Sequence, residues 1–395
     1  MRFSDLRKIK EEPPAAKERP RRETPRPAVE PAAQELRGKQ IPAPPKPDTA
    51  AAPEEPAPPG PEPARRTHTT PPPGPPFEEQ RAQAREKYSL LMQDTTSFLK
   101  AVDRPYTEKY QSVLGVCAMT AETLKTNSAF LSCVTYGTAD DYLRAHTANT
   151  VILALAMGLE AGLPEEELGL LGFCAMSHDI GMTGYSDLYS EPGRLTESER
   201  AELSLHVEAG AAKLERVVDL DYKVKDRAIK IVLQAHWRPD GTGYPVPADD
   251  GEADPLAQII AIADAYEAMT HQRSWRQPLP PSEVVKELIE KEGHGFNARG
   301  VKLLISAVSI FPPGSIVQLS NGETALVLKT NRGLLAKPLL EILLRSDFSE
   351  SAPELADLKD HPLISIEHSI SLEELSRRNP KCAGRLEVSR WWTDW

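Results

Sequence analysis

His146, the adjacent pair His178 and Asp179, His206, His236 and Asp264 all stand in or beside stretches that otherwise read as buried helix. His146 precedes "TANTVILALAMG", and the His178-Asp179 pair ends "LGLLGFCAM". His206 lies in "ELSLHVEAGAAKL", His236 follows "AIKIVLQA", and Asp264 falls within "IIAIADAYEAM". Asp264 follows Ile260 by four residues, so the two share a helix face in apolar surroundings. An ionised carboxylate buried there without a partner costs several kcal/mol. A metal ion is one partner that would offset this cost; an arginine such as Arg273, or a backbone donor, is the other. Taken singly, each histidine is more often a hydrogen-bonded core residue than a ligand. Together, four histidines and two aspartates on successive helices form a nitrogen and oxygen donor set without thiolate. Such a set suits iron, manganese and other octahedral-tolerant cations better than a closed structural zinc site.

Two further segments lie close to these residues in the chain. "HWRPDGTGYP" runs directly on from His236 and contains Asp240, Gly241, Gly243 and Tyr244. It reads either as an ordinary turn or as a loop whose glycines bring backbone donors close to a phosphate. "HQRSWRQP" places Arg273 and Arg276 just past the Asp264 helix. Their guanidinium groups could bind phosphate or guanine edges, or simply lie in solvent.

The elements that must carry these groups are mostly helical. From Glu78 to about Gly162 apolar residues recur at helical spacing, and Pro164 with the acids after it begins the helix that ends at His178. "TESE" (Thr196 to Glu199) predicts a capping box at the start of the His206 helix. Asp254 and Pro255 predict the N-cap and first turn of the Asp264 helix. "PSEVVKELIEKEG" predicts another helix, ending at Gly293. The period changes only near the end, where "SIVQLSNGETALVL" predicts two strands around Asn321-Gly322. "DLKDHPLISI" is a candidate for one more strand, and the aromatic tail "RLEVSRWWTDW" has no evident partner. The expectation is an all-α body with a small C-terminal β-hairpin.

Composition bounds the rest. More than half of the 37 prolines precede Phe77, interleaved with alanine and charges of both signs. Residues 1–77 are therefore expected to form a disordered, partly polyproline-II arm, since such a segment buries too little apolar surface to offset its ordering entropy. The chain carries a net charge of −11. Up to residue 76, 14 Lys and Arg stand against 11 Asp and Glu, about +3, which leaves about −14 for the remainder. An acidic body argues against a nucleic-acid polymer as partner. "MRFSDLRKIKEEPP" lacks the apolar core of a secretory signal, and "VILALAMGLEAGL" is too short for a membrane span. The 4 cysteines show no CxxC spacing and suit free thiols in a reducing cytoplasm. The arm suggests tethering or a protein partner, with a passive leader as the other reading.

The ordered set "DDYLRAHTANTVILALAMG", "SHDIG", the His206 helix, "DGTGYP", "IIAIADAYEAMT" and "RSWR" resembles the HD-GYP family of HD-domain metal-dependent phosphohydrolases. The resemblance runs from about Asp140 to Leu328, with "FPPGSIVQLSNGETALVL" similar to the family's terminal segment and Glu78 to Gly137 to its lead-in. It implies domains at 78–139 (helical lead-in), 140–345 (an HD-domain helical bundle) and 346–395 (tail). It further implies two divalent transition metal ions, iron or manganese, with His146, His178, Asp179 and Asp264 as primary ligands. His206 and His236 match second-site ligands, and Asp179 would be the bridging, catalytic residue. Asp240, Gly241, Gly243, Tyr244, Arg273 and Arg276 would contact the substrate. The implied activity is hydrolysis of cyclic di-GMP. The chain departs from the family pattern at Met182, where a lysine is usual, and at Ala235 and Trp237, where HHExxDGxGYP has a histidine and a glutamate. Ser274-Trp275 also replaces the usual Pro-Tyr. A module that binds cyclic di-GMP or a protein without turnover is the alternative.

Overall fold

Three helices that are apolar on nearly every side form the centre of the protein, and most of the candidate ligands sit on or beside them. The computed structural model describes residues 76–392 apart from 105, 139–141, 191–192, 248–250 and 274–275. The expected arm therefore lies outside the described residues, as do Ser274 and Trp275. Phe77, assigned above to the arm, is the first residue of a helix.

The lead-in consists of α1 (Phe77–Ala101) and α2 (Tyr110–Thr126). The central helices follow as α3 (Tyr142–Glu160) and α4 (Glu165–Ser177). A 3-10 turn, Ile180–Gly184, leads to α5 (Ser186–Ser190), α6 (Glu197–Ser204) and α7 (His206–Leu214). Next come α8 (Tyr222–Gln234), the third central helix α9 (Pro255–Thr270), α10 (Pro281–Glu290) and α11 (Ala298–Val308). In α3 every residue from Ala145 to Gly158 is buried, as expected for a helix with no polar face. It packs against α1, α2, α4, α9 and α11. By contrast α8, α10 and α11 bury one stripe each and form the outer layer.

The predicted capping box is present: Glu199 N–H donates to Thr196 Oγ1 (3.3 Å), and Thr196 N–H to Glu199 Oε2 (2.6 Å). Asp254 Oδ1 caps α9 by accepting from Leu256 N–H at 2.9 Å, with Pro255 in the first turn. The predicted His206 helix is two segments. Leu205 N–H is shared between the carbonyls of Glu202 and Leu203, and His206 starts the second segment.

The C-terminal region corrects the expectation of a mere hairpin on an all-α body. Strands β1 (Ile316–Leu319), β2 (Thr324–Asn331), β3 (Leu334–Leu344), β4 (Leu355–Asp357) and β5 (Ile366–Ile370) form one antiparallel sheet, ordered β4-β3-β2-β1-β5. The Asn321-Gly322 turn joins β1 and β2 as predicted, with Val317 opposite Ala325 and Gly322 at φ +85°. β3 escaped detection because "PLLEILL" is apolar apart from Glu341 and shows no strand alternation. Both of its faces are covered: Leu343 and Leu344 pack with Ile316, Leu375 and Leu386, while Leu340 and Ile342 pack with Val317, Val327 and Leu358. The first cluster includes residues of α12 (Leu372–Arg378) and α13 (Pro380–Ser389), which follow the sheet. No helix among the described residues is long and apolar enough to cross a membrane.

Candidate metal centre

His146, His178, Asp179, His206, His236 and Asp264 converge, although they come from five parts of the chain. His146 projects from the first turns of α3, and His178 with Asp179 ends α4. His206 opens α7, His236 follows α8, and Asp264 lies in the middle of α9. The close approach of these elements depends on two glycines. A Cβ on Gly181 would lie 1.8 Å from the carbonyl oxygen of His206, so only glycine lets the turn after Asp179 lie against α7. A Cβ on Gly243 would lie 2.3 Å from the carbonyl oxygen of His236, and this packs the "DGTGYP" loop against the end of α8.

Asp179 is the hub. Its Oδ1 is 3.1 Å from His206 Nε2, 3.2 Å from His236 Nε2 and 3.6 Å from His178 Nε2, while Oδ2 is 3.4 Å from His146 Nε2. Asp264 faces the same space, with Oδ1 3.4 Å from His146 Nε2 and Oδ2 3.6 Å from His236 Nδ1. Backbone carbonyls orient two of the rings: Nδ1 of His178 is 2.8 Å from Ala175 O, and Nδ1 of His206 is 2.6 Å from Leu203 O. A ring whose Nδ1–H donates to a carbonyl presents a lone pair at Nε2, which is the arrangement a metal ligand needs. His146 is oriented by the Glu267 carboxylate at its Nδ1.

The charges at the centre follow from this packing. Burial would raise the Asp179 carboxyl, but the neighbouring His178 and His206 hold it well below the usual carboxylate range. Burial likewise opposes charge on His146, yet Glu267 outweighs it and pushes the imidazole up to about 9. Burial dominates at His236, which is lowered to about 4. Glu267 is held below its ordinary range against its own burial by His271, His146 and Arg273.

The donor set fits divalent cations on three observations. His146, His178 and Asp264 form one group with ligand atoms within 4.8 Å of one another, and Asp179, His206 and His236 form a second. His178 Nε2 is fully buried and has no hydrogen-bond partner among the described residues. The donors are nitrogen and oxygen atoms only, and all four cysteines are free and buried, outside both groups.

The other candidate residues lie in different surroundings. Tyr244 stacks on the His236 ring, with centroids 5.0 Å apart and planes at 10°. Asp240 is exposed, and its Oδ1 accepts from Thr242 N–H (3.0 Å) and Thr242 Oγ1 (2.6 Å); Gly241 is exposed beside it. Arg273, the alternative partner considered for Asp264, instead pairs with Glu267 at 3.2 Å and lies over the Tyr142 ring at 4.2 Å. Arg276 donates to the Ala268 carbonyl. Met182 is buried in the 3-10 turn. A cation does reach that turn, but Lys213 is engaged by Asp103 Oδ1 (2.6 Å) and Thr183 Oγ1. Sequence reasoning passed over Glu267, although its position three residues after Asp264 in an apolar helix was the same signal that marked Asp264. It also passed over Asn149, one turn from His146, whose Nδ2 is 3.3 Å from Glu267 Oε1.

Residues 138–299 match a family model described as "HD domain". A cyclic di-GMP phosphodiesterase of Pseudomonas aeruginosa is 29% identical over 226 residues, 57% of this chain and 53% of that protein. A 3'3'-cGAMP-specific phosphodiesterase of Vibrio cholerae is 28% identical over 162 residues, 41% of this chain and 30% of that protein. The cyclic di-GMP phosphodiesterase response regulator RpfG of Xanthomonas campestris is 32% identical over 148 residues, 37% of this chain and 38% of that protein. The chain thus spans about half, or less, of the length of these relatives. Residues 138–299 thus carry an HD domain, and these similarities together with the His-Asp constellation support an HD-GYP family protein.

Proposed function

We propose that the protein is a metal-dependent phosphodiesterase that hydrolyses cyclic di-GMP. The observation that carries this reading is the convergence of four histidines on the Asp179 carboxylate, with Asp264 facing the same space. A phosphodiester is itself an anion. It would be repelled by Asp179, Asp264 and Glu267 unless cations neutralised them. In this reading His146, His178 and Asp264 would hold one cation, and Asp179, His206 and His236 would hold a second. Iron or manganese matches the donor set. When bound, such a pair supplies Lewis-acid polarisation of the phosphoryl oxygens and an acidified water as nucleophile.

The protein's own residues prepare the site. The carbonyls of Ala175 and Leu203 hold His178 and His206 with Nε2 turned inward. Glu267 does the same for His146 through Nδ1. Tyr244 stacks on one face of the His236 ring. The "DGTGYP" loop, Arg273 and Arg276 are the proposed substrate-contacting elements, in which the glycines allow a close backbone approach. Four buried, unpaired thiols support a reducing, cytoplasmic setting. A protein partner for the N-terminal arm belongs to the same proposal.

A second reading has its own observation. Met182 is 5% exposed and Ala235 0%, so apolar side chains fill two positions where the resemblance implies a cation and a ligand. A module that binds a cyclic dinucleotide without cleaving it would have this pattern. Turnover of cyclic di-GMP and of 3'3'-cGAMP by manganese-loaded protein, with equilibrium binding of both, separates the readings. Hydrolysis supports the enzyme and sets its preference. Binding without hydrolysis supports the receptor.

A further inference from the structure

Glu267 is the inner end of a buried chain of polar contacts that reaches the lead-in helix. Tyr88, on α1 and 0% exposed, donates its hydroxyl to Asn149 Oδ1 at 2.9 Å. Asn149, also 0% exposed, donates through Nδ2 to the Tyr136 carbonyl at 2.9 Å and lies 3.3 Å from Glu267 Oε1. The other oxygen of Glu267 meets His146 Nδ1 and Arg273. An asparagine amide has two chemically distinct ends. With Oδ1 held by the tyrosine hydroxyl, Nδ2 is directed towards Glu267, so the amide cannot flip without losing both partners.

The outer end of this chain is clamped by the C-terminal segment. Trp392 packs edge-on against Tyr88, with centroids 4.8 Å apart, and against Tyr136 at 5.3 Å. Its backbone N–H donates to Gly137 O at 2.7 Å, while Gly137 N–H donates to Arg390 O at 2.9 Å. The same strap therefore fixes the Tyr136 carbonyl that holds Asn149. None of these residues belongs to either ligand group.

We propose that Tyr88 and Asn149 are positioning residues for His146. They hold the Glu267 carboxylate in the orientation that turns the His146 Nε2 lone pair into the metal centre. The lead-in helix and the C-terminal strap are thereby coupled to that centre. The proposal rests on the metal reading above only for its consequence, and not for the contact chain itself. Partners behind a ligating histidine raise its basicity and fix its tautomer, and their loss typically costs metal affinity.

Tyr88→Phe removes the hydroxyl and keeps the buried ring, so the fold is retained. Two measurements on full-length protein decide the matter. The first is the resonance of the His146 Nδ1 proton in metal-free protein, assigned by its loss in His146→Gln. The second is Mn2+ affinity, determined in wild type, Tyr88→Phe, Glu267→Gln and the double variant. The relay predicts that Tyr88→Phe shifts the resonance and lowers Mn2+ affinity about threefold to tenfold, below the range for a direct partner of a ligand. In the Glu267→Gln background the same change should leave affinity unaltered, because the connection is already cut. A purely structural role would lower the melting temperature and leave both readouts in place. An unmoved resonance, unchanged Mn2+ affinity, or an equal loss in both backgrounds would overturn the proposal. If wild type binds no Mn2+, the metal reading fails, and the resonance alone then decides whether the relay exists.

Discussion

Nε2 of His206 lies 3.2 Å from Nε2 of His236, and both rings address the same oxygen of Asp179. Nδ1 of His206 faces the Leu203 carbonyl, and a neutral ring that donates there presents its Nε2 lone pair to Asp179 and His236. Such a cluster is stable only with positive charge between its members, supplied either by protons or by a cation. This relationship is the physical core of the metal assignment.

The first prediction concerns Asp179, which all four histidines address. Asp179→Ala should remove most of the bound metal. It should also lower the melting temperature of metal-loaded protein, because a ligand at a hundredfold excess over its Kd contributes about 2.7 kcal/mol. Metal content and thermal unfolding with and without chelator provide the check. Unchanged metal content in the variant would count against Asp179 as the shared residue.

Gly181 offers a test that adds only a methyl group. A Cβ there would stand 1.8 Å from the His206 carbonyl oxygen and 2.7 Å from the Gly210 nitrogen, both of them backbone atoms. Gly181→Ala should destabilise the protein by about 3 kcal/mol, the upper part of the range for overpacking, since no side chain can move aside. It should also part Asp179 from His206 and lower metal affinity. Wild-type stability in denaturant titrations would show that the two segments do not approach as described.

Much of this was legible in the sequence, for reasons that individual residues make clear. The ligand candidates could be read because a charged or imidazole side chain within "IIAIADAYEAM" or "LGLLGFCAMSHD" contradicts its surroundings. The helix starts could be read because Thr196, Glu199, Asp254 and Pro255 have specific capping chemistry. β3 was hidden because burial on both faces erases the alternation that marks a strand. Glu267 carried the same signal as Asp264, whereas its partners Asn149 and Tyr88 are distant in sequence and meet it only in the fold. The Trp392 contact with Tyr88 joins the two ends of the described chain, which no local pattern could signal.

The third prediction addresses the departures at Met182, Ala235 and Trp237. Restoring a phosphate-facing cation by Met182→Lys is worth about 10²–10³ in rate if it contributes as a removed electrostatic donor does elsewhere. Ala235 is fully buried, so Ala235→His carries an overpacking cost of about 1–3 kcal/mol that should appear as a lower melting temperature. The triple variant with Trp237→Glu should raise cyclic di-GMP turnover by more than the product of the separate effects, because these groups act as a unit. Equal turnover in wild type and triple variant would show that the departures are harmless.

The fourth prediction concerns the N-terminal arm. α1 already buries Tyr88, Leu91, Met92, Phe98 and Leu99 against the body. Deleting residues 1–75 should therefore leave the melting temperature unchanged, as expected for a segment that adds nothing to the core. A loss of several degrees would show that the arm packs on the body.

The most direct test of the account joins metal analysis and turnover on one sample of full-length protein, purified anaerobically. The account predicts about two iron or manganese ions per chain and cyclic di-GMP hydrolysis that stops with chelator and returns with Mn2+. Protein that holds no transition metal under these conditions, or that hydrolyses the dinucleotide equally well after complete metal removal, would contradict it.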